Sequence, residues 1–109
     1  MRTMIPHAAF AWACTIALLG AAQAADHEVI QHARAFSVTR LTVKVGDTVH
    51  FVNLDDVPHN AFSLSQGNGF DTGFLSRGES KRITLGMPGI VEVECAVHPG
   101  MKMAIEVRR

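Results

Sequence analysis

Apolar and polar residues alternate in six short stretches of the chain, the first of which begins at residue 41. Alternation with a period of two is typical of a strand that buries one face, whereas no stretch repeats with the helical period of about 3.6. Turn-forming residues separate the stretches, so the pattern predicts an all-β domain of two packed sheets. The predicted strands are Leu41–Val45, Thr48–Asn53, Asn60–Leu64, Ser80–Leu85, Ile90–Cys95 and Met101–Val107.

The segments between these strands predict how the strands connect. Gly46-Asp47 supplies a turn, because glycine tolerates backbone angles that other residues avoid, so we expect the strands on either side to be neighbours. Residues 65–78 hold four of the nine glycines and are predicted to form a long surface loop. Residues 25–36 show no clean period, although Val29-Ile30 could open a strand.

The first 24 residues differ from the rest of the chain. The basic start Met1-Arg2 precedes an apolar run, Ala8–Ala22, which ends in the small-residue pattern Ala22-Gln23-Ala24. These are the parts of a secretory signal peptide, so we expect residues 1–24 to be removed and residues 25–109 to form one domain. A membrane anchor is the alternative, but the apolar run has about 15 residues and a spanning helix needs roughly 20.

Composition limits the partners and isolates one cysteine. Once Arg2 leaves with the signal peptide, nine basic and ten acidic side chains remain. They form neither a basic stripe suited to nucleic acid nor an amphipathic run suited to a membrane surface. Cys14 lies in the apolar run, so Cys95 is the one cysteine of the predicted mature chain. In an oxidising compartment such a thiol is buried and inert, paired with another molecule or bound to metal.

The residues around Cys95 favour metal binding. The segment Cys95-Ala96-Val97-His98-Pro99-Gly100-Met101 places a thiolate, an imidazole and a thioether on one tight loop, and Val57-Pro58-His59-Asn60 adds a second imidazole. Two His, one Cys and a weakly bound Met are the ligands of blue-copper electron-transfer sites. Zinc also binds Cys and His, but it would not explain the Met. His32 and His50 have no Cys or Met beside them, so solvated side chains are the simpler interpretation for both.

The chain resembles a small bacterial cupredoxin, and amicyanin and the plastocyanin–pseudoazurin group are the most similar types. The matching stretches are Val43–Asn53, Pro58-His59-Asn60 and Cys95-x-x-His98-Pro-x-Met101, and the resemblance covers roughly residues 41–107. It implies a cupredoxin-like Greek-key β-sandwich with one type 1 copper. The implied equatorial ligands are His59, Cys95 and His98, and the implied axial ligand is Met101.

The axial ligand has two candidates, because Met101 and Met103 both match spacings of the family. His-x-x-Met is the amicyanin arrangement, and His-x-x-x-x-Met is that of plastocyanin. In both relatives, β-branched residues follow the axial Met four and six positions later. Counting from Met101 gives Ile105 and Val107, whereas counting from Met103 gives Arg109 at the second position. The resemblance therefore favours Met101, and we expect Met103 to pack beneath the site.

Three neighbouring positions bear on the tuning of the site and on the route of electrons to it. Asn60 follows the upstream ligand; in the relatives its backbone N–H donates to the thiolate and its side chain ties the two ligand loops. Those relatives have Pro two residues after Cys, where this chain has Val97, so we predict a further N–H donor to sulfur that raises the reduction potential. They also have an aromatic residue before Cys, on the usual electron route, and this chain has Glu94 there.

The predicted function is that of a periplasmic, monomeric electron carrier whose copper cycles between Cu(I) and Cu(II). Resemblance to amicyanin suggests a dehydrogenase as electron donor and a c-type cytochrome as acceptor. His98 should be the ligand nearest the surface, and brief redox encounters use small interfaces. Asp55 and Asp56 would steer a basic partner or would simply be solvated loop acids. The apolar docking patch around His98 is expected to comprise Val57, Pro58, Pro99 and Gly100.

Other functions remain open at this level. A copper-delivery protein would use the same ligands but release the metal readily. A small enzyme with an open tetragonal copper site would need Met101 unbound and Glu94 recruited, although Glu94 alternates away from Cys95. A metal-free binding sandwich would leave the Cys-His-Met spacing as coincidence. The carrier is favoured over an enzyme because copper with four protein ligands has no open position for a substrate.

The predicted mature terminus adds a separate possibility. Cleavage after Ala24 would expose Ala25-Asp26-His27, whose amine, two amides and imidazole can bind Cu(II) in a square plane. A frayed chain end is the simpler expectation for these residues.

Overall fold

The computed structural model describes Thr3 and residues 23–109. The predicted apolar run and Cys14 lie outside these residues, so the removal of residues 1–24 stays a prediction. Within the described part of the chain, no helix is long and apolar enough to cross a membrane.

The described residues form nine strands in two sheets, which confirms the predicted all-β architecture. The strands are β1 Asp26–His32, β2 Ala35–Phe36, β3 Arg40–Lys44, β4 Thr48–Asn53, β5 Phe62–Ser63, β6 Phe70–Asp71, β7 Ser80–Thr84, β8 Gly89–Cys95 and β9 His98–Arg108. One sheet has the strand order β2-β1-β4-β7, and the other has the order β3-β9-β8-β5-β6. Both sheets are mixed, because β1 runs parallel to β4 and β3 runs parallel to β9.

The strands on either side of Gly46 lie in different sheets, so the prediction that they are neighbours is wrong. β3 pairs with β9, whereas β4 pairs with β1 and β7. The Gly46 N–H donates to the carbonyl of Leu85 at 2.8 Å, and the Val45 N–H donates to that of Arg108 at 2.7 Å. Leu85 follows β7 and Arg108 ends β9, so the turn, in which Gly46 has φ 89°, is a corner between sheets.

The inward faces of the two sheets are apolar, as the alternation predicted. β8 buries every second residue in Val91–Cys95, and β9 does so in Met101–Val107. Opposite them, Phe51 of β4 is fully buried. Its ring centroid lies 6.1 Å from that of Phe36 and 5.8 Å from that of Phe70, so one aromatic side chain links three strands. Burying such a ring contributes roughly 1.5–3 kcal/mol to folding.

Two stretches without a clear pattern are also structured. Residues 25–36 form β1 and β2, but the inward side of β1 alternates the apolar Val29 with the polar Gln31, which hides the strand period. The predicted surface loop of residues 65–78 contains β6 and the buried Leu75. This loop is therefore surface only in part, and it contributes a side chain to the core.

Asp47 ties the start of β1 to the corner between β3 and β4. Its Oδ1 accepts the Ala25 N–H at 2.9 Å, while its Oδ2 accepts the Lys44 N–H at 2.9 Å and lies 2.9 Å from Nε2 of His27. These contacts, the one with His27 foremost, favour the charged carboxylate and lower the pKa of Asp47 to about 2. Ala25-Asp26-His27 is therefore ordered. The Ala25 nitrogen and the His27 imidazole, which would be the two ends of a Cu(II) chelate, both contact Asp47.

We predict that Asp47→Asn lowers the stability of the domain at neutral pH and that the difference disappears in acid. The folded pKa of about 2 lies below the unfolded value of about 3.9. The contribution of Asp47 is therefore fully present above about pH 4 and is lost as the pH falls towards about 2. Urea unfolding of both proteins across this pH range measures the effect.

Asp26→Asn is the matched control, because Asp26 is exposed and its ion pair with Arg82 is 3.3 Å long at the surface. We expect this variant to unfold at nearly the same urea concentration as the parent. Equal losses in both variants would contradict the role assigned to Asp47.

Candidate metal centre

Three of the predicted ligand atoms meet at one end of the sandwich. Sγ of Cys95 lies 3.8 Å from Nδ1 of His59 and 3.7 Å from Nδ1 of His98. All three atoms lie within 4.8 Å of one another, and the centroids of the two imidazole rings are 4.8 Å apart. The fold thus brings a histidine to a cysteine 36 positions later in the sequence.

The β8–β9 hairpin supplies two of these atoms. Cys95 ends β8, His98 begins β9, and the two residues pair directly across the turn Ala96-Val97. The sequence predicted one ligand loop of seven residues, Cys95–Met101. The observed turn between the strands is shorter, because strand pairing resumes at His98. The register shifts between Glu94 and Cys95, and such a bulge re-aims the side chains that follow it.

His59 reaches the hairpin from the loop after β4. Its N–H donates to the carbonyl of Leu75 at 3.1 Å, and its own carbonyl accepts the Leu75 N–H at 2.7 Å. The side chain of Asn53 donates to the carbonyls of Leu75 and Val57 at 2.7 and 3.0 Å. These hydrogen bonds fix the backbone beneath the ring of His59, which is fully buried.

Asp55 holds the second nitrogen of His59. Nε2 of His59 lies 2.7 Å from Oδ2 of Asp55. An ionised carboxylate can only accept, so Nε2 carries the proton and Nδ1 presents its lone pair towards the sulfur. The same carboxylate oxygen accepts the Arg34 N–H at 2.9 Å. These hydrogen bonds, the one with His59 foremost, hold the pKa of Asp55 well below its usual range.

Asp55 is therefore neither a solvated loop acid nor a group free to steer a partner, because it is only 7% exposed. Asp56, the next residue, is exposed, so both expectations, a solvated acid or a group that steers a basic partner, still apply to it. The sequence signal for the contact between Asp55 and His59 was the position of an acidic residue four residues before a predicted ligand. Its inward direction depends on Asn53, whose Oδ1 accepts the Asp55 N–H at 2.8 Å, and the sequence pattern does not reveal that turn.

Both candidate axial ligands lie on the inward face of β9, and Met101 and Met103 are 1% and 4% exposed. Strand register separates them. Met103 pairs with Val93, one layer below Cys95, whereas regular pairing continued from Glu94 and Lys102 would place Met101 opposite Cys95. This placement supports Met101 as the axial ligand, with Met103 packed beneath it.

The side chain of Asn60 joins the two ligand loops, as the resemblance implied. Its Oδ1 accepts the Ala96 N–H at 2.8 Å, and its Nδ2 lies 3.3 Å from Oδ1 of Asp71. Within the described residues, the side-chain nitrogens within hydrogen-bonding range of the Cys95 sulfur are those of the two imidazoles. The N–H donors to sulfur expected at Asn60 and Val97 stay predictions.

His98 is the one predicted ligand that is not buried, which places it nearest to solvent. Val97 beside it is 55% exposed and adds apolar surface that was not assigned to docking. Glu94 faces away from the donors, since its carboxylate lies 3.4 Å from Nζ of Lys102 on the outer side of the sheet. The predicted docking residues are half-buried or exposed, namely Val57, Pro58, Pro99 and Gly100.

The spacing of the donors fits a single metal ion, and their chemistry favours copper. A nitrogen at about 2.0 Å and a sulfur at about 2.3 Å from one ion, at an angle of about 120°, lie about 3.7 Å apart. The nitrogen–sulfur distances of 3.7 and 3.8 Å match this separation. Thiolate and thioether favour copper, and imidazole suits both of its oxidation states. Zinc would use the thiolate and imidazoles but not the thioether.

Comparison with known proteins identifies relatives over nearly the whole chain. Residues 23–108 match the family described as copper binding proteins, plastocyanin/azurin family. The chain is 33% identical over 110 residues to the methylamine utilization protein MauL of Methylorubrum extorquens. That alignment covers 98% of this chain and 96% of MauL.

Solved structures share the fold. A purple cupredoxin from Nitrosopumilus maritimus has a TM-score of 0.67 at 26% identity, covering 75% of this chain and 99% of that chain. An amicyanin variant in its reduced state has a TM-score of 0.71 at 24% identity, covering 76% and 82%. A copper-containing nitrite reductase from Thermus scotoductus SA-01 has a TM-score of 0.71 at 35% identity, covering 77% of this chain but only 22% of the reductase. The predicted cupredoxin fold is thereby confirmed.

We predict that Asp55→Asn weakens copper binding about 10- to 100-fold, the usual effect of losing the partner of a metal-binding imidazole. The amide can present a donor to Nε2, so the ring would lose its fixed tautomer. A competition titration of Cu(I) against a chelator measures the affinity.

Asp56→Asn removes the same charge from the adjacent, exposed residue, so we expect its affinity to stay within about twofold of the parent. Similar losses in the two variants would show that charge near the site matters and that the Asp55–His59 contact does not.

Proposed function

The chain belongs to the plastocyanin/azurin family of copper-binding proteins, and we propose that His59, Cys95, His98 and Met101 hold its single type 1 copper. As a cupredoxin, the protein carries single electrons between redox partners. The observation that supports this ligand set best is the convergence of one sulfur and two imidazole nitrogens at 3.7–3.8 Å.

The bound copper supplies a one-electron couple between Cu(I) and Cu(II). Cys95 contributes a thiolate, His59 and His98 contribute neutral imidazole nitrogens, and Met101 contributes a weak thioether. Strand pairing fixes Cys95 relative to His98, and the Asp55 contact fixes His59. Because the protein holds these donors in place, little movement needs to accompany the change of charge.

We propose that the protein transfers electrons without transforming a substrate. Four protein ligands leave no open position on the ion. Glu94, the side chain that an open site would have to recruit, lies beside Lys102 on the outer face. The nitrite reductase relative does not argue for an enzyme, because this chain spans about a fifth of its length.

The setting we propose is the periplasm, since the predicted signal peptide directs export. The relative MauL is named for methylamine utilization. That name supports an amine-oxidising context in which a dehydrogenase donates electrons and a c-type cytochrome accepts them. The half-buried His98 is the ligand through which a docked partner would exchange electrons. The docking surface comprises Val57, Pro58, Pro99 and Gly100, with Val97 added, and the carrier acts as a monomer.

The visible spectrum tests the function. We expect the Cu(II)-loaded protein to show an intense blue band from thiolate-to-copper charge transfer, bleached by reductant and restored by oxidant. Cys95→Ser should abolish the band while circular dichroism still shows the β-sandwich. A pale protein that passes copper to a chelator and has no reversible couple would support copper delivery instead.

Paired methionine variants test the axial ligand. We expect Met101→Leu to raise the reduction potential, because loss of a weak axial donor destabilises Cu(II) relative to Cu(I). Met103→Leu should leave the potential nearly unchanged, since both substitutions conserve volume in a buried position. Protein-film voltammetry measures both values, and the reverse result would assign Met103 as the ligand.

A further inference from the structure

The end of β1 contacts the loop that carries His59 through one fully buried residue, Gln31. The backbone carbonyl of Gln31 accepts the Leu54 N–H at 2.9 Å, before His59 in the sequence. Its side-chain Nε2 donates to the carbonyl of Asn60 at 3.1 Å, directly after His59. Gln31 therefore holds the ligand loop on both sides of the imidazole.

The turn from β1 into β2 adds a third contact to the same loop. The Arg34 N–H donates to Oδ2 of Asp55, the oxygen that also contacts His59. Ala33 and Arg34 have φ of 50° and 55°, so both central residues of this two-residue turn are left-handed. Hairpin turns of this type prefer Asn and Gly, and a side chain of the Ala or Arg kind is sterically strained there.

The side chain of Gln31 carries a second unfavourable feature. Among the described residues, no protein group donates to its Oε1, although the atom is buried. A buried acceptor without a partner lowers stability, and an apolar side chain of the same shape would avoid that loss. Strained turns of this kind cluster at functional sites, where the surrounding structure retains them for a role other than stability.

We propose that Gln31 at the end of β1 and Arg34 in the following turn form a brace that positions the upstream copper ligand, with these two as its positioning residues. The brace rests on the proposed function, because its role is to fix His59 for copper. Gln31 restrains the loop at Leu54 and Asn60, and Arg34 restrains the carboxylate of Asp55. The imidazole is then fixed by contacts from an element that contributes no ligand itself.

Gln31→Met tests the brace, because it keeps the length of the side chain and removes both the donor to Asn60 and the unpaired oxygen. We expect the metal-free variant to unfold at nearly the parental urea concentration, because loss of the unpaired Oε1 offsets loss of the donor to the buried Asn60 carbonyl. We also expect its Cu(I) affinity to fall about tenfold, the lower end of the range for losing a supporting contact, and its reduction potential to shift. A folded variant with parental affinity and potential would overturn the proposal.

Ala33→Asn is the matched control. Asparagine tolerates the left-handed region, so the variant should be more stable than the parent. It keeps the Arg34 N–H and changes no charge, so affinity and potential should stay at the parental values. An equal shift in both variants would show that the copper properties respond to any change in this hairpin, and not to the Gln31 contact, and would overturn the brace.

NMR of the parental protein keeps the proposal testable if Gln31→Met does not fold. A scalar coupling from the Gln31 side-chain nitrogen to the Asn60 carbonyl carbon, with slow exchange of the amide protons, is expected in both the metal-free and the Cu(I) protein. Absence of the coupling in both forms would overturn the brace. A parental protein without the blue band but with this coupling would overturn the proposed function and leave the contact intact, so the two failures are distinguishable.

Discussion

An imidazole that offers one nitrogen to a metal must find a partner for the other, and inside a protein that partner cannot be bulk water. Here the partner is the carboxylate of Asp55, 2.7 Å from Nε2 of His59. A buried carboxylate in turn needs donors of its own. Asp55 takes them from the Arg34 N–H and the Asp56 N–H, both at 2.9 Å. The requirement of one ligand thus extends through Asp55 to the turn between β1 and β2.

The ligands of the β8–β9 hairpin and the ligand His59 are positioned by different kinds of structure. Cys95 and His98 are three residues apart, so the pairing of two adjacent strands is enough to fix them. His59 lies in the connection from β4 to β5, which joins the two sheets, so the packing of the sandwich must place it. Parallel pairing of β1 with β4 aligns Gln31 with Asn53, so the polar ends of both strands meet at the copper end. Their side chains, with the loop backbone, complete the support beneath His59.

Local patterns predicted the parts of this structure that depend on neighbours in sequence. Alternation identified β8 and β9, and the Cys95-x-x-His98 spacing identified the ligand pair, because both are properties of one hairpin. The corner at Gly46 was mistaken for a hairpin, since the same turn residues serve both and only the partners of β3 and β4 distinguish them. The role of Asp55 was missed for a related reason. An acidic residue in a loop is ordinarily solvated, and only the turn made by Asn53 directs this one inward.

Two turns, one at each end of the sandwich, differ in how they treat unfavourable local structure. At the end away from the copper, the left-handed turn position is occupied by Gly46, and Asp47 has a donor for each carboxylate oxygen. At the copper end, Ala33 and Arg34 take left-handed angles, and Gln31 buries an oxygen without a protein donor. A ligand that binds only the folded state adds its binding free energy to stability. Copper would therefore offset these losses at the turn beside its site, whereas the Gly46 turn, with no such ligand beside it, uses a residue that left-handed turns prefer.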